Sequence, residues 1–302
     1  MSLSGIWHVE KVADDKVELL KVSSVIYVGR TKYQSVKVVE NPSLGKCLII
    51  DDYIQSSTYD EHIYHETLVH PAFSTHGFPR RVVVIGGGEG ATAREALRWK
   101  NVESVVMFEI DSEVVEICKT YLSEINRGVF DDPRFKLVIE EGREALSKLD
   151  NNSIDALVVD VTDPISGGPS YLLYTREFYQ LAKKKLKTNG VLATQSTSPI
   201  HNSKVYSSIK KTLATVFKHV SPLFLYIPSF STLWSVTVAS DVKSMYELDS
   251  KTIERVFREN GVGGLRFYNP SLHEALVTIS KAYGSNVDAE GVVITDNNPI
   301  TL

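Results

Sequence analysis

The stretch 81–94, RVVVIGGGEGATAR, limits what this chain can fold into more than any other. An apolar run, 82–85, breaks into Gly86-Gly87-Gly88-Glu89-Gly90, and a helix-competent segment, 91–99, follows directly. Strand, glycine turn and helix start, in that order, are the local layout of a nucleotide-binding α/β domain. Glycine lets the backbone turn sharply and approach a ligand that a Cβ would exclude. Alone, the pattern suits a plain structural turn equally well. The segments around it decide.

From residues 78–79 onward the chain alternates strand and helix signals, the pattern of a mostly parallel sheet. Strands are expected at 102–110, 135–139, 154–159 and 190–194, with helices at 91–99, 113–122, 175–187 and 203–217. Two late strands, 223–227 and 234–239, are expected to pair antiparallel, which suits a seven-stranded methyltransferase-type sheet better than a dinucleotide dehydrogenase. A helix at 250–259 precedes an apolar tail without catalytic signals. Before the glycine turn, strands at 17–22, 24–28, 35–39 and 46–50 read as β hairpins. The segment 60–74, DEHIYHETLVHPAFS, reads as a helix that Ser57 or Thr58 can cap. The expected class is α/β: a Rossmann-like catalytic domain, 76–302, behind a small N-terminal β-hairpin domain with its linking helix, 1–75.

The strand ends carry the chemistry. Glu89, Glu109, Glu141, Asp160 and Asp163 fall at one expected sheet edge, and no Lys or Arg occupies those turns. Glu109 lies nineteen residues beyond Gly90, where an acid accepts hydrogen bonds from ribose hydroxyls. Asp111 reads as the cap of the helix that follows. The run 154–159 is nearly all apolar, hence central in the sheet, and it delivers Asp160 and Asp163 to the edge where ligands bind. Such an edge serves a pyrophosphate poorly and a cation well. A sulfonium nucleoside without its carboxylate, together with a polyamine, meets that description. Displacement at the carbon beside sulfur then needs a deprotonated amine, which a carboxylate such as Asp160 can orient and relieve of a proton, with Asp163 and Tyr64 anchoring the amine.

Other classes recede. A net charge of −4 gives no reason for nucleic acid, and no apolar run approaches a membrane span. Cys47 and Cys118 are isolated, which fits a reducing, cytoplasmic setting. His65 and His70 are five apart, about 140° around a helix, so the zinc spacing is missing and no metal is expected.

Seven stretches together carry a resemblance: YQSVKV (33–38), DEHIYHETLVH (60–70), GGGEGATARE (86–95), FEID (108–111), DVTDP…GP (160–169), ATQSTSP (193–199) and PSFSTLWSVTVAS (228–240). Across nearly its full length the chain resembles the polyamine aminopropyltransferases, the spermidine synthase family. The resemblance implies decarboxylated S-adenosylmethionine as co-substrate, no tightly bound cofactor, a diamine acceptor and release of 5′-methylthioadenosine. Putrescine giving spermidine is the simplest case, with agmatine, other diamines and longer polyamines open. It implies Asp160 as the catalytic base. Gln34, Glu109, Glu141-Gly142 and Pro169 would surround the nucleoside above the glycines Gly86, Gly88 and Gly90. His65 and Glu89 would face the aminopropyl or polyamine side, with Tyr64, Asp163 and Gln195 beside the amine. It also implies a homodimer or homotetramer. Glu89 and Glu141 stand where many relatives have Asp. Phe230 stands where many have Tyr, and Leu233 where glycine is usual, so the acceptor end of the pocket departs from the family pattern. Competing readings are a methyltransferase acting on a cationic small molecule and a non-catalytic nucleoside-binding relative.

Overall fold

A computed structural model describes residues 4–13, 16–165, 167–287 and 291–302 of the chain. Its N-terminal part is all β. Strands β1 (Ile6–Ala13) and β2 (Lys16–Val22) form an antiparallel hairpin, and β3 (Ser24–Arg30), β4 (Ser35–Asn41), β5 (Gly45–Ile50) and β6 (Tyr53–Ser57) form a four-stranded meander. At the β4–β5 turn the Asn41 side chain accepts from the backbone N–H groups of Ser43 and Leu44, and Gly45 takes φ +69°. The sequence expectation contained β2 to β5 and missed β1 and β6.

Helix α1 (Glu61–His76) leads into the second part, an open sheet of strand order β12-β13-β11-β10-β7-β8-β9. Its strands are β7 (Arg81–Gly86), β8 (Ser104–Glu109), β9 (Phe135–Ile139), β10 (Ile154–Asp160), β11 (Leu186–Gln195), β12 (His219–Ile227) and β13 (Thr232–Ser240). Strands β11, β10, β7, β8 and β9 are mutually parallel; β13 pairs antiparallel with β12, as expected, and also with β11. Along β7, Val82 and Val84 enter one core layer with Leu68, Phe73 and Trp99, while Val83 and Ile85 enter the other with Phe178 and Tyr179. That two-sided burial is why the strand reads as an unbroken apolar run. The layers come from α2 (Ala91–Leu97), α3 (Ser112–Tyr121), α4 (Ser123–Asn126), α5 (Gly142–Lys148), α6 (Arg176–Lys185), α7 (Ser203–Ala214), α8 (Ser250–Asn260) and α9 (Pro270–Val287).

Two local readings need correction. The segment after 269 is helical as α9, and the Asn269 side chain accepts from Leu272 N at its start. At the head of α1 neither Ser57 nor Thr58 caps the helix. Asp60 holds the cap position without a side-chain bond to the helix, and its carboxylate accepts from Ser57 Oγ (2.7 Å) and from Ser229 N (2.6 Å).

The N-terminal meander lies over the edge of the large sheet, where Val36, Val38, Leu48 and Ile50 pack against Ala91, Val114 and Ile117. Apolar burial thus places the hairpin region above the carboxyl ends of β7 and β10. Since α1 is buried along most of its length, its polar side chains need partners inside the protein. Glu66 finds three: its carboxylate accepts from the backbone N–H groups of Arg266, Phe267 and Tyr268, each at 2.8 Å. Replacing Glu66 with Ala would remove the acceptor of three backbone donors, that of Tyr268 buried and the other two partly so, and we expect a loss of about 2 to 3 kcal/mol in unfolding free energy by denaturant titration. A loss under about 1 kcal/mol would show that the loop finds other acceptors.

Candidate active site

Strand order reverses at β7, with β8 and β9 to one side and β10 and β11 to the other, and ligands collect at such a switch point. There, beneath the N-terminal strands, lies a cavity of about 670 Å³. Its floor is the glycine turn. Gly86 pairs with Asp160 across the sheet at φ +77°, and Gly87 N donates to Asp160 O at 2.7 Å. A Cβ on Gly86 would stand 2.1 Å from that oxygen, so no other residue fits. A Cβ on Gly88 would crowd Glu109 Oε2 at 3.1 Å. Gly90 stands apart from the cavity wall; it opens α2 at φ +88° and packs against Val129 and Phe130.

The residues expected from the sequence to bind or react line this cavity, with Gly90 the exception; Leu233, which departs from the family pattern, lies outside it as well. Asp160 sits between two hydroxyl donors, Tyr64 (2.7 Å) and Thr92 (2.5 Å). Burial, then the Asp160 carboxylate beside it, pushes the Tyr64 phenol well above its ordinary range, so it remains a donor. Asp163 accepts from Gln195 Nε2 at 2.9 Å and Thr197 Oγ1 at 3.3 Å, while burial pushes its carboxyl up to about 6. Gln195 Nε2 also meets Val161 O and the Tyr174 hydroxyl, and its Oε1 accepts from Thr197 N at 2.8 Å. Thr197 holds φ +58°, an uncommon conformation for a β-branched residue, which here keeps its hydroxyl on Asp163.

At the other end of the cavity His65 joins two carboxylates. Its Nδ1 donates to Glu61 Oε2 (3.0 Å) and Glu61 O (2.7 Å), and its Nε2 donates to Glu89 Oε1 (2.8 Å). Ser56 Oγ donates to the second Glu89 oxygen at 2.9 Å. Glu109 lies deep in the wall, where burial pushes its carboxyl up to about 7 even though Asp111 N donates to it at 3.0 Å. Asp111 caps α3, as expected, and also holds Thr31 Oγ1 (2.5 Å) and Gln34 Nε2 (3.2 Å), tying the N-terminal meander to the second strand end. Glu141 accepts from Arg143 N and Glu144 N and so caps α5, while Gly142 lies against Ile85, whose Cγ2 a Cβ would meet at 2.3 Å. Pro169 lies on the loop beyond Asp163. Phe230 lies edge-on to Tyr64 at 6.2 Å and to Trp234 at 4.9 Å, an apolar wall where a tyrosine would present a hydroxyl.

The sequence reading missed the supporting hydroxyls of Ser56, Thr92 and Thr197, and it missed β1. That strand brings Glu10 to the cavity, where burial pushes the carboxyl up to about 7 and Ile54 N donates to it at 3.1 Å. It also brings Lys11, and β3 brings Arg30. The strand-end turns hold acids only, as expected, but the cavity as a whole is not free of cations.

The fold is one that known proteins share. The model of the spermine/spermidine synthase domain matches residues 61–252, and that of the spermidine synthase tetramerisation domain matches 6–58. A polyamine aminopropyltransferase of Sulfolobus acidocaldarius is 40% identical over 294 residues, covering 97% of each chain. One from Saccharolobus solfataricus is 41% identical over 283 residues, covering 92% of each. The crystal structure of a spermidine synthase in complex with the transition-state analogue AdoDATO superposes with a TM-score of 0.86 at 30% identity, covering 94% of this chain and 97% of that one. Spermidine synthase from Thermotoga maritima gives 0.84 at 29%, covering 94% and 96%. With both family models matched and this identity along nearly its whole length, the chain belongs to the spermine/spermidine synthase family of polyamine aminopropyltransferases.

Proposed function

We propose that the protein transfers the aminopropyl group of decarboxylated S-adenosylmethionine to a primary amine of a diamine, most simply putrescine, forming spermidine and releasing 5′-methylthioadenosine. One observation carries this reading: four carboxylates, Glu89, Glu109, Asp160 and Asp163, line a single cavity, with Asp160 between two hydroxyl donors. Acids withdrawn wholly or partly from water in such number are costly unless cations arrive among them.

In this reading Glu109 accepts the ribose hydroxyls, with Gln34, Glu141-Gly142 and Pro169 around the nucleoside. His65 and Glu89 face the aminopropyl ammonium. Tyr64, Asp163 and Gln195 hold the acceptor. The amine loses a proton to Asp160, its lone pair attacks the carbon beside sulfur, and the C–S electrons leave on the thioether. A carboxylate has about four acceptor sites, so Asp160 can keep Tyr64 and Thr92 while it orients the amine. The sulfonium cation becomes neutral in the step, and the charge passes to the new secondary ammonium. Phe230 leaves the far end of the acceptor pocket apolar, which favours the methylene stem of a diamine over a second polar head.

The apolar residues Val9, Val17, Leu19, Val25 and Val28 are exposed on β1, β2 and β3, within the span matched by the tetramerisation model, and support assembly as a homodimer or homotetramer. Among the described residues no helix is long and apolar enough to cross a membrane, and two free, buried cysteines suit work in the cytoplasm.

Incubation with decarboxylated S-adenosylmethionine and a panel of amines, scored by methylthioadenosine release, tests the activity; no release with any amine would sink it. The Asp160→Asn variant should bind the donor normally and lose about 10²- to 10⁴-fold in kcat, whereas near-native turnover would remove Asp160 as the base. A cationic donor stabilises ionised carboxylates. Because burial has raised Glu109 to about 7 and Asp163 to about 6, binding should release protons near neutral pH. Calorimetry at about pH 6.5 in two buffers of different ionisation enthalpy should detect that release, and affinity should rise between about pH 5.5 and 7.5. The carboxylated donor should bind roughly ten-fold more weakly. Equal affinity would favour methyl transfer instead.

A further inference from the structure

Behind the donor end of the cavity runs a file of alternating buried charge. Glu89 meets His65 Nε2 at 2.8 Å, and His65 Nδ1 meets Glu61 at 3.0 Å. Arg94 grips both oxygens of Glu61, Nη1 at 3.1 Å and Nη2 at 2.8 Å, while its Nε donates to Glu95 at 2.8 Å. Arg94 also donates to Ile125 O. Only Glu89 and His65 touch the cavity; Glu61, Arg94 and Glu95 lie behind it with under a tenth of their surface exposed. The proposed reaction uses Glu89 and His65 and gives no task to the groups behind them.

We propose that Glu61, braced by Arg94, is a positioning residue that orients the donor-side carboxylate Glu89 by holding His65 between them as an imidazolium. This rests on the reading of Glu89 as the group facing the aminopropyl ammonium. The geometry demands two ring protons. Nδ1 faces a carbonyl and a carboxylate, Nε2 faces a carboxylate, and all three are acceptors only. A neutral ring with its proton on Nδ1 would aim a lone pair at Glu89 Oε1. That carboxylate would then be free to swing about its other tether, Ser56 Oγ at 2.9 Å. Burial by itself would drive the imidazole down; the hydrogen bonds and charges of Glu61 and Glu89 reverse this and hold it well above its ordinary range.

The groups facing the ring come from two elements. Glu61 and the edge-on Tyr64 ring, at 4.9 Å, belong to α1, and Glu89 to the glycine turn. Behind Glu61 stand Arg94 of α2 and, at 4.0 Å, Arg127 beyond α4. Both arginines would oppose a proton on His65 if Glu61 lost its charge. The carboxylate of Glu61 is therefore what lets cations sit on both its sides.

The Glu61→Gln variant keeps shape and removes charge. For the full-length enzyme, kcat/KM for decarboxylated S-adenosylmethionine should match wild type at low pH. It should then fall on the order of ten-fold through a new ionisation between about pH 6 and 8 that wild type lacks. A second replacement, His65→Gln, made in the Glu61→Gln background, leaves a neutral donor toward Glu89 and should abolish that ionisation. A Glu61→Gln profile parallel to wild type, at whatever level, overturns the proposal, because a merely structural loss is uniform in pH. Should that variant not fold, ¹⁵N NMR of the wild-type imidazole decides: a His65 ring neutral at pH 7 overturns it. If Glu89→Gln leaves the donor KM unchanged, the donor-side reading of Glu89 fails, while the NMR titration still tests the imidazolium.

Discussion

The contact between Gly87 N and Asp160 O, at 2.7 Å, joins the two halves of the switch point, and the rest of the site is arranged around it. It exists only because Gly86 carries no side chain where a Cβ would meet that same carbonyl. With the turn drawn this close to the end of β10, Asp160 comes within reach of Thr92 on α2 and Tyr64 on α1. Three elements separated by up to 96 residues thus converge on one carboxylate. The glycines that suggest a phosphate cradle in the sequence serve here as a close joint between neighbouring parallel strands. Gly88 extends the same logic to the next strand end, since its missing Cβ leaves room for Glu109.

Much of this was legible because it is local. An apolar run ending in an acid announces both a central strand and the chemistry at its tip, and β8 and β10 each follow that pattern, while β7 ends in the glycine turn. Antiparallel β12 and β13 followed from their late position and short connection. What stayed hidden depends on distance along the chain. Ser56 and Thr92 are unremarkable hydroxyls until the fold sets them against Glu89 and Asp160. Thr197 gives no sign in the sequence that it will adopt positive φ. Strand β1 was missed because its apolar residues are partly outward-facing: Ile6 and Val9 are exposed, and alternation therefore points to no buried face within the chain. Helix α9 had a usable signal in Asn269-Pro270, an amide cap followed by proline in the first turn.

The N-terminal strands do more than cover the site. Through Gln34 and Thr31 they hold Asp111, and through Ser56 they hold Glu89, so two of the strand-end acids are oriented from outside the large sheet. Packing of Val36 and Leu48 on α3 fixes that arrangement by apolar contact, which is indifferent to the charges it positions. Fold energy and site electrostatics are therefore supplied by different residues of the N-terminal meander: Val36 on β4 and Leu48 on β5 pack on α3, while Thr31 and Gln34 between β3 and β4 and Ser56 on β6 hold the acids.

A cavity built from acids raises the question of what keeps it folded before a cationic ligand arrives. Protonation offers part of the answer, since burial lifts Glu10, Glu109 and Asp163 into the range of about 6 to 7, where they release protons as cations enter. Glu61 follows the opposite course. Although burial favours its neutral form, hydrogen bonds and charges from His65 and Arg94 hold it down at about 2, ionised at any pH the protein meets. The site therefore divides its acids into two kinds. Asp160, Asp163 and Glu109, in the cavity wall, accept from neutral donors, namely hydroxyls, an amide and a backbone N–H, so a cation gains by meeting them. Glu61, behind the wall, is paired instead with the guanidinium of Arg94 and the ring of His65, partners that belong to the protein itself.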